Sequence, residues 1–229
     1  MNENDNRKLS LYNHINEIRL KYGIEMYGVD MVEICLANRI AKITTVPLKT
    51  PKLKAMVFIN TENTIILNSN RSIQEQNYDC THEFIHIVRH SEIQNTFTCY
   101  DTTVINNNFY NEWEANEGAA ELLVAYRIFI QFLIRTLYRA NPTNPYEYDE
   151  VLDSIANVYN VPKTVIYYRI ESLKYEITQY LQGIAIDELC ILSDKQQKLN
   201  NIEIRSVNQI YKYDLSDHLR IKKRPDIFA

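Results

Sequence analysis

A chain of 229 residues and 27.1 kDa, 45% hydrophobic and 24% charged, can bury the core of one large or two small globular domains. Its formal net charge of −4 and pI near 5.8 exclude a global electrostatic pull toward nucleic acid or an anionic membrane. The polar start Met1–Lys8 and the lack of a long uncharged apolar run lead us to expect neither signal peptide nor membrane span, and a cytoplasmic location. Only four glycines occur, Gly23, Gly28, Gly118 and Gly183, so there is no glycine-rich phosphate loop or dinucleotide fingerprint. Cys35, Cys80, Cys99 and Cys190 form no CxxC pair and read as reduced, mostly buried thiols.

In chain order, Leu11, Ile15, Ile18 and Tyr22 recur at helical spacing, and Gly23 is a plausible stop. Asp30, with Glu33 three residues on, predicts the cap of a helix through Leu36 and Ala37. Ile40 to Leu48 is rich in β-branched residues and reads as a strand whose exit, at Pro47 and Pro51, lies at an edge or turn. Leu53 to Asn68 predicts a hairpin, two strand-like runs around Asn60-Thr61-Glu62-Asn63.

The hairpin leads directly into Ser72–His90, SIQEQNYDCTHEFIHIVRH. Ser72 and Glu75 form an S-x-x-E capping box that starts a helix near Ile73. On that helix His82 and His86, of an HExxH pentad, are one turn apart, about 40° around the axis, so both imidazoles can reach one ion. Glu83 falls about 100° from His82, at the rim of the same site. Two histidines and an adjacent carboxylate are what a zinc-activated water with a general base requires. Cys80, about 160° from His82, is expected behind the helix rather than on the metal.

Phe97 to Val104 predicts another strand, followed by a polar loop at Asn106-Asn107-Asn108. From Phe109 a long helical pattern, EWEANEGAAELLVAYRIFIQFLIRTLYR, runs to a stop at Asn141-Pro142, with a break expected near Val124–Tyr126. The third ligand is sought here. Glu112 would complete a His2Glu site, and Asn116, one turn on, could bond the outer nitrogen of a ligand histidine. Glu114 competes with Glu112 because the helix phase is not legible in sequence. Ile155 to Ile170 reads as helix, turn, helix, with Pro162 in the first turn of a helix running to about Leu181. Its second helix is apolar and poor in basic residues, so packing is expected there rather than direct nucleic-acid binding. Leu189–Leu192, Ile202–Ile204 and Ile210–Tyr213 are short strands or helical turns, and the basic cluster Arg220–Arg224 is a solvated terminus.

Together these segments resemble the ImmA/IrrE-type zinc metallopeptidases. THEFIHIVRH at Thr81–His90 is similar to the family's THE-x-x-H-x-x-x-H, and EWEANEGAAELL at Glu112–Leu123 to its E-x-x-A-N-x-F-A-x-x-L-L. IILN at Ile65–Asn68 and IANVYNVPKTVIYYRI at Ile155–Ile170 continue the likeness. The resemblance implies a zincin-like α+β core, a small mixed or antiparallel sheet on the HExxH helix, over residues 1–145, and a mainly helical region over 146–229. It implies zinc held by His82, His86 and Glu112, Glu83 as general base, and Asn116 supporting a ligand histidine. It also implies an endopeptidase acting on a protein or peptide, such as a helix-turn-helix repressor of a mobile element or stress response. His90 matches a frequent family histidine without an assigned role. Tyr167, Tyr168, Arg169 and His90 are the candidates for an oxyanion donor. Gly118 stands where the family usually has Phe, Ile85 where it often has Gly, and Val124-Ala125 replaces its Met-Pro. Loss of the Phe is expected to loosen the second ligand helix. Two rival expectations are a non-catalytic zincin scaffold that sequesters a regulator, and a DNA-binding regulator acting through residues 155–170.

Overall fold

The computed structural model describes residues 7–50, 52–100 and 109–204. In order they form α1 (Arg7–Tyr22), α2 (Met31–Ala37), β1 (Lys42–Val46), β2 (Leu53–Phe58), β3 (Thr64–Asn68), α3 (Ile73–His90), β4 (Thr96–Tyr100), α4 (Phe109–Leu123), α5 (Tyr126–Ala140), α6 (Pro145–Tyr159), α7 (Lys163–Ser172), α8 (Lys174–Leu181) and α9 (Asp194–Leu199). This is the expected α+β class, with a four-stranded mixed sheet and a majority of helix. The expected strand beyond Tyr100, the asparagine loop, Ile210–Tyr213 and the basic tail lie outside the described residues. No helix among the described residues is long and apolar enough to cross a membrane.

The chain divides into two compact units. The first comprises His14–Leu123 with Tyr159–Pro162 and holds the sheet, α3 and α4. Its strand order is β1-β3-β2-β4. The predicted hairpin pairs β2 with β3 antiparallel, β1 lies parallel to β3 at one edge, and β4 runs antiparallel to β2 at the other. Alternation decides which face is buried: Leu53, Ala55 and Val57 of β2, Ile65 and Leu67 of β3, and Phe97 and Cys99 of β4 are inside. Helix α3 contacts β2, β3, β4, α2 and α4, so it lies at the centre of this unit.

Polar side chains fasten its ends. Asn68, closing β3, donates to the Leu53 carbonyl at 2.9 Å and accepts from the Leu48 and Asn70 amides at 3.3 and 3.1 Å. Buried Asn77 on α3 accepts from the Met31 amide at 2.9 Å and donates to the Val29 and Asn160 carbonyls at 2.8 and 2.9 Å. A buried amide so satisfied stabilises the start of α2 on α3 instead of penalising the core. The predicted caps are present: Asp30 accepts from the Glu33 amide at 3.0 Å, and Ser72 and Glu75 form the reciprocal box, at 3.3 and 2.9 Å.

On α4, Gly118 lies against Ile85 of α3 and Ile15 of α1. A Cβ at Gly118 would come within 3.3 Å of Ile85 Cγ2 and 3.4 Å of Ile15 Cδ1. Ile85, fully buried, thus occupies the space that a larger residue would need on α4.

The described residues of the second unit, 7–13, 124–158 and 163–204, are mainly helical. The break between α4 and α5 falls at Val124 and Ala125, as expected, without the family's Met-Pro. Ala125 is extended, and the Val124 carbonyl accepts from Arg169 Nε at 3.0 Å. Arg169, fully buried, also donates to the Tyr12 hydroxyl at 2.8 Å. The helix expected to run to Leu181 is interrupted at Leu173 and is two helices, α7 and α8. Residues 189–192 and 202–204 form no strand; a short 3-10 turn at Ile186–Glu188 precedes the first.

Candidate metal centre

The site is built from one face of α3 and the first turns of α4, both in the first unit. The capping box sets where α3 starts, and the helical repeat then brings His82 and His86 to one side of it. Their Nε2 atoms are 3.1 Å apart. Glu112, in the first turn of α4, spans the pair: its Oε2 is 3.4 Å from His82 Nε2 and its Oε1 3.4 Å from His86 Nε2. One ligand atom from each of these three residues lies within 4.8 Å of the others. The histidines are sealed from water, whereas the Glu112 side chain is 36% exposed, so solvent reaches the site on that side.

Of the two carboxylates that sequence left in competition, Glu112 faces the histidine pair. Glu114, two residues on and about 200° around the helix, faces elsewhere. It is buried, bonded to His90 Nε2 at 3.0 Å, Arg89 Nη2 at 2.6 Å and the Tyr110 hydroxyl at 2.9 Å. Burial alone would raise its pKa, but these bonds hold it down at about 2. Asn116 is placed as expected, with Oδ1 3.1 Å from His82 Nδ1 and its own amide donating to the Glu112 carbonyl at 2.8 Å.

Glu83 lies on the same helix and is fully buried, and neither oxygen has a hydrogen-bond partner among the described residues. Burial pushes its pKa up to about 8; the His82 charge opposes this, while Glu112 and Asp79 add to it. Burial, together with the neighbouring His82 and His90, drives His86 far below the usual histidine value and keeps it neutral, the form that can ligate a cation. At His82 burial also opposes the charge, yet Cys99, Glu112 and Glu83 outweigh it and raise the pKa well above normal. The surroundings of His82 therefore favour a positive charge, which a proton or a cation can supply. Two imidazoles, one carboxylate and a buried unpaired carboxylate beside them fit a divalent metal with an open position.

Cys99, which the sequence did not place at the site and which reads there as a reduced, buried thiol, brings its sulfur to His82 and Glu83, with their ligand atoms within 4.8 Å of one another. Only the sheet register puts it there: Cys99 pairs with Ala55 on the edge strand β4, facing inward. His90 joins the site through His86. Cys80, by contrast, is a buried free thiol behind α3, hydrogen-bonded to the free thiol of Cys35, as the helical angle predicts. Of the oxyanion candidates, Arg169 is fully buried on its own partners and Tyr167 bonds Asp149, while Tyr168 is exposed.

A family profile described as Peptidase_M78, IrrE N-terminal-like domain, matches residues 38–171, which include both helices of the site and all of its acidic and histidine residues. The chain belongs to this family. No match was found among curated proteins. Membership in the Peptidase_M78 family marks the chain as peptidase-like, and the His82–His86–Glu112 cluster of this member is suited to a metal ion.

Proposed function

We propose that this Peptidase_M78 member is a zinc-dependent endopeptidase acting on a protein substrate, with the helix-turn-helix repressors named by the family resemblance as the substrate class to test first. The observation that carries the reading is the convergence of His82, His86 and Glu112 beside a buried carboxylate, Glu83, that no group among the described residues satisfies. A zinc ion on the three ligands would supply the Lewis acidity that polarises a scissile carbonyl and acidifies a water.

The chain's own residues supply the rest. Glu83, held near neutrality by burial, takes the proton of the attacking water and delivers it to the leaving amine. Asn116 orients His82, and the 36% exposed Glu112 marks the side from which a peptide reaches the ligands. The purified protein is expected to carry about one zinc per chain, and removal of zinc by a chelator to abolish cleavage of a co-expressed repressor, scored by fragment mass. Glu83→Gln is expected to retain zinc and lose cleavage. A chain that takes up no zinc, or a Glu83→Gln protein that cuts as fast as the parent, overturns the proposal. Partner binding without fragments in either protein identifies a sequestering scaffold instead.

A further inference from the structure

His90 and Glu114 belong to neither the ligand set nor the base, yet they are buried against it. His86 Nδ1 is 3.0 Å from His90 Nδ1, and His90 Nε2 is 3.0 Å from Glu114 Oε2. His86, His90 and Glu114 are 0%, 1% and 4% exposed, so no bulk water competes for these bonds. Phe97 stacks on the His86 ring, centroids 4.0 Å apart and planes within 17°, and also borders His90 at 5.9 Å. The far end is anchored: Glu114 Oε1 accepts from Arg89 at 2.6 Å and from Tyr110 at 2.9 Å.

Proton counting gives this chain a direction. A neutral imidazole has one lone pair and one N–H. If His86 offers its Nε2 lone pair to a metal, its proton is on Nδ1 and is donated to His90 Nδ1. His90 then accepts there, carries its own proton on Nε2 and donates it to the Glu114 carboxylate. The opposite direction would put a proton on His86 Nε2 and close it to a metal. His82 differs, since its Nδ1 faces the neutral amide of Asn116.

We propose that Glu114 and His90 form a positioning relay that locks His86 into the metal-binding tautomer and thereby sets the affinity of the site for its ion. This rests on the zinc reading above, since it concerns how that site is tuned. The outer proton of His86 thus ends, through His90, on an anion, whereas the outer nitrogen of His82 meets only a neutral amide.

The test uses the full chain and zinc alone, titrated against a competing chelator, with the cobalt absorption spectrum recorded alongside. His90→Leu keeps the bulk next to Phe97 but removes the acceptor, and is expected to bind zinc about 10–100-fold more weakly with an altered cobalt spectrum. His90→Gln, whose amide can accept from His86 and donate to Glu114, is expected to restore most of the affinity. Glu114→Gln is expected to lie between the parent and His90→Leu. The melting temperature of each metal-free protein separates tuning from damage: a purely structural role would lower it without changing affinity. Should His90→Leu fail to fold, Glu114→Gln decides. Parental affinity in His90→Leu or Glu114→Gln, or no rescue by His90→Gln, overturns the relay and leaves the zinc reading standing. A parent that binds no zinc overturns both.

Discussion

Glu83 and Glu114 are two buried carboxylates of one site, with opposite environments. Among the described residues Glu83 has no hydrogen-bond partner and is pushed up to about 8, whereas Glu114 bonds His90, Arg89 and Tyr110 and is held at about 2. The first is poised to exchange a proton near neutral pH, the second to remain an anion. Glu83→Gln is therefore expected to lower the turnover of a cleaved substrate by about 10²–10⁴-fold, measured in single-turnover cleavage with zinc content unchanged. Glu114 also bears on stability. Its folded pKa lies below the unfolded value of 4.5, so its contribution is complete above pH 4.5 and is lost as pH falls toward 2. Thermal melts of the metal-free chain are expected to drop across that window, and to drop less in Glu114→Gln.

At the scale of elements, the site depends on how closely α4 approaches α3. Gly118 and Ile85 form that contact, a small residue facing a large one. Gly118→Phe is expected to destabilise by about 1–3 kcal/mol through overpacking. Ile85→Gly alone is expected to cost about 3–5 kcal/mol, from the cavity and the helical glycine. The double change is expected to cost clearly less than the two together, since each relieves the other, and a denaturant-unfolding cycle measures this coupling. Independent costs would mean that the residues do not share one space. The caps matter on a smaller scale: removing the Ser72 hydroxyl in Ser72→Ala is expected to cost about 1 kcal/mol.

For the whole molecule, a metal held by His82, His86 and Glu112 would link binding to folding. These three candidate ligands come from two helices separated in sequence by β4, so only the folded chain brings them together. Zinc at about 1,000 times its dissociation constant is expected to stabilise the chain by about 4 kcal/mol, a rise on the order of 10 °C in melting temperature. A chelator is expected to reverse this, and Glu112→Ala to abolish it, in calorimetry with and without zinc. An equal rise in Glu112→Ala would remove that residue from the ligand set.

Much of the fold was legible because its signals are local. The Ser72–Glu75 box, the Asp30 cap, the hairpin around Asn60–Asn63 and the break at Val124–Ala125 each depend on a few adjacent residues, and each is present. The helical repeat alone also put His82 and His86 on one face and Cys80 behind it. The break at Leu173 was missed, as nothing in the local sequence marks it. The sequence by itself thus determined the ligand-bearing helix, the order of the elements and the residue types for metal chemistry. Tertiary structure alone decided that Glu112 meets the histidines while Glu114 turns to His90, because this depends on the rotational phase of α4 against α3. It also brought Cys99 to His82 through the register of an edge strand, and let Ile85 fill the space opposite Gly118. These are contacts between segments distant along the chain, and residue spacing carries no information about the angle at which such segments meet.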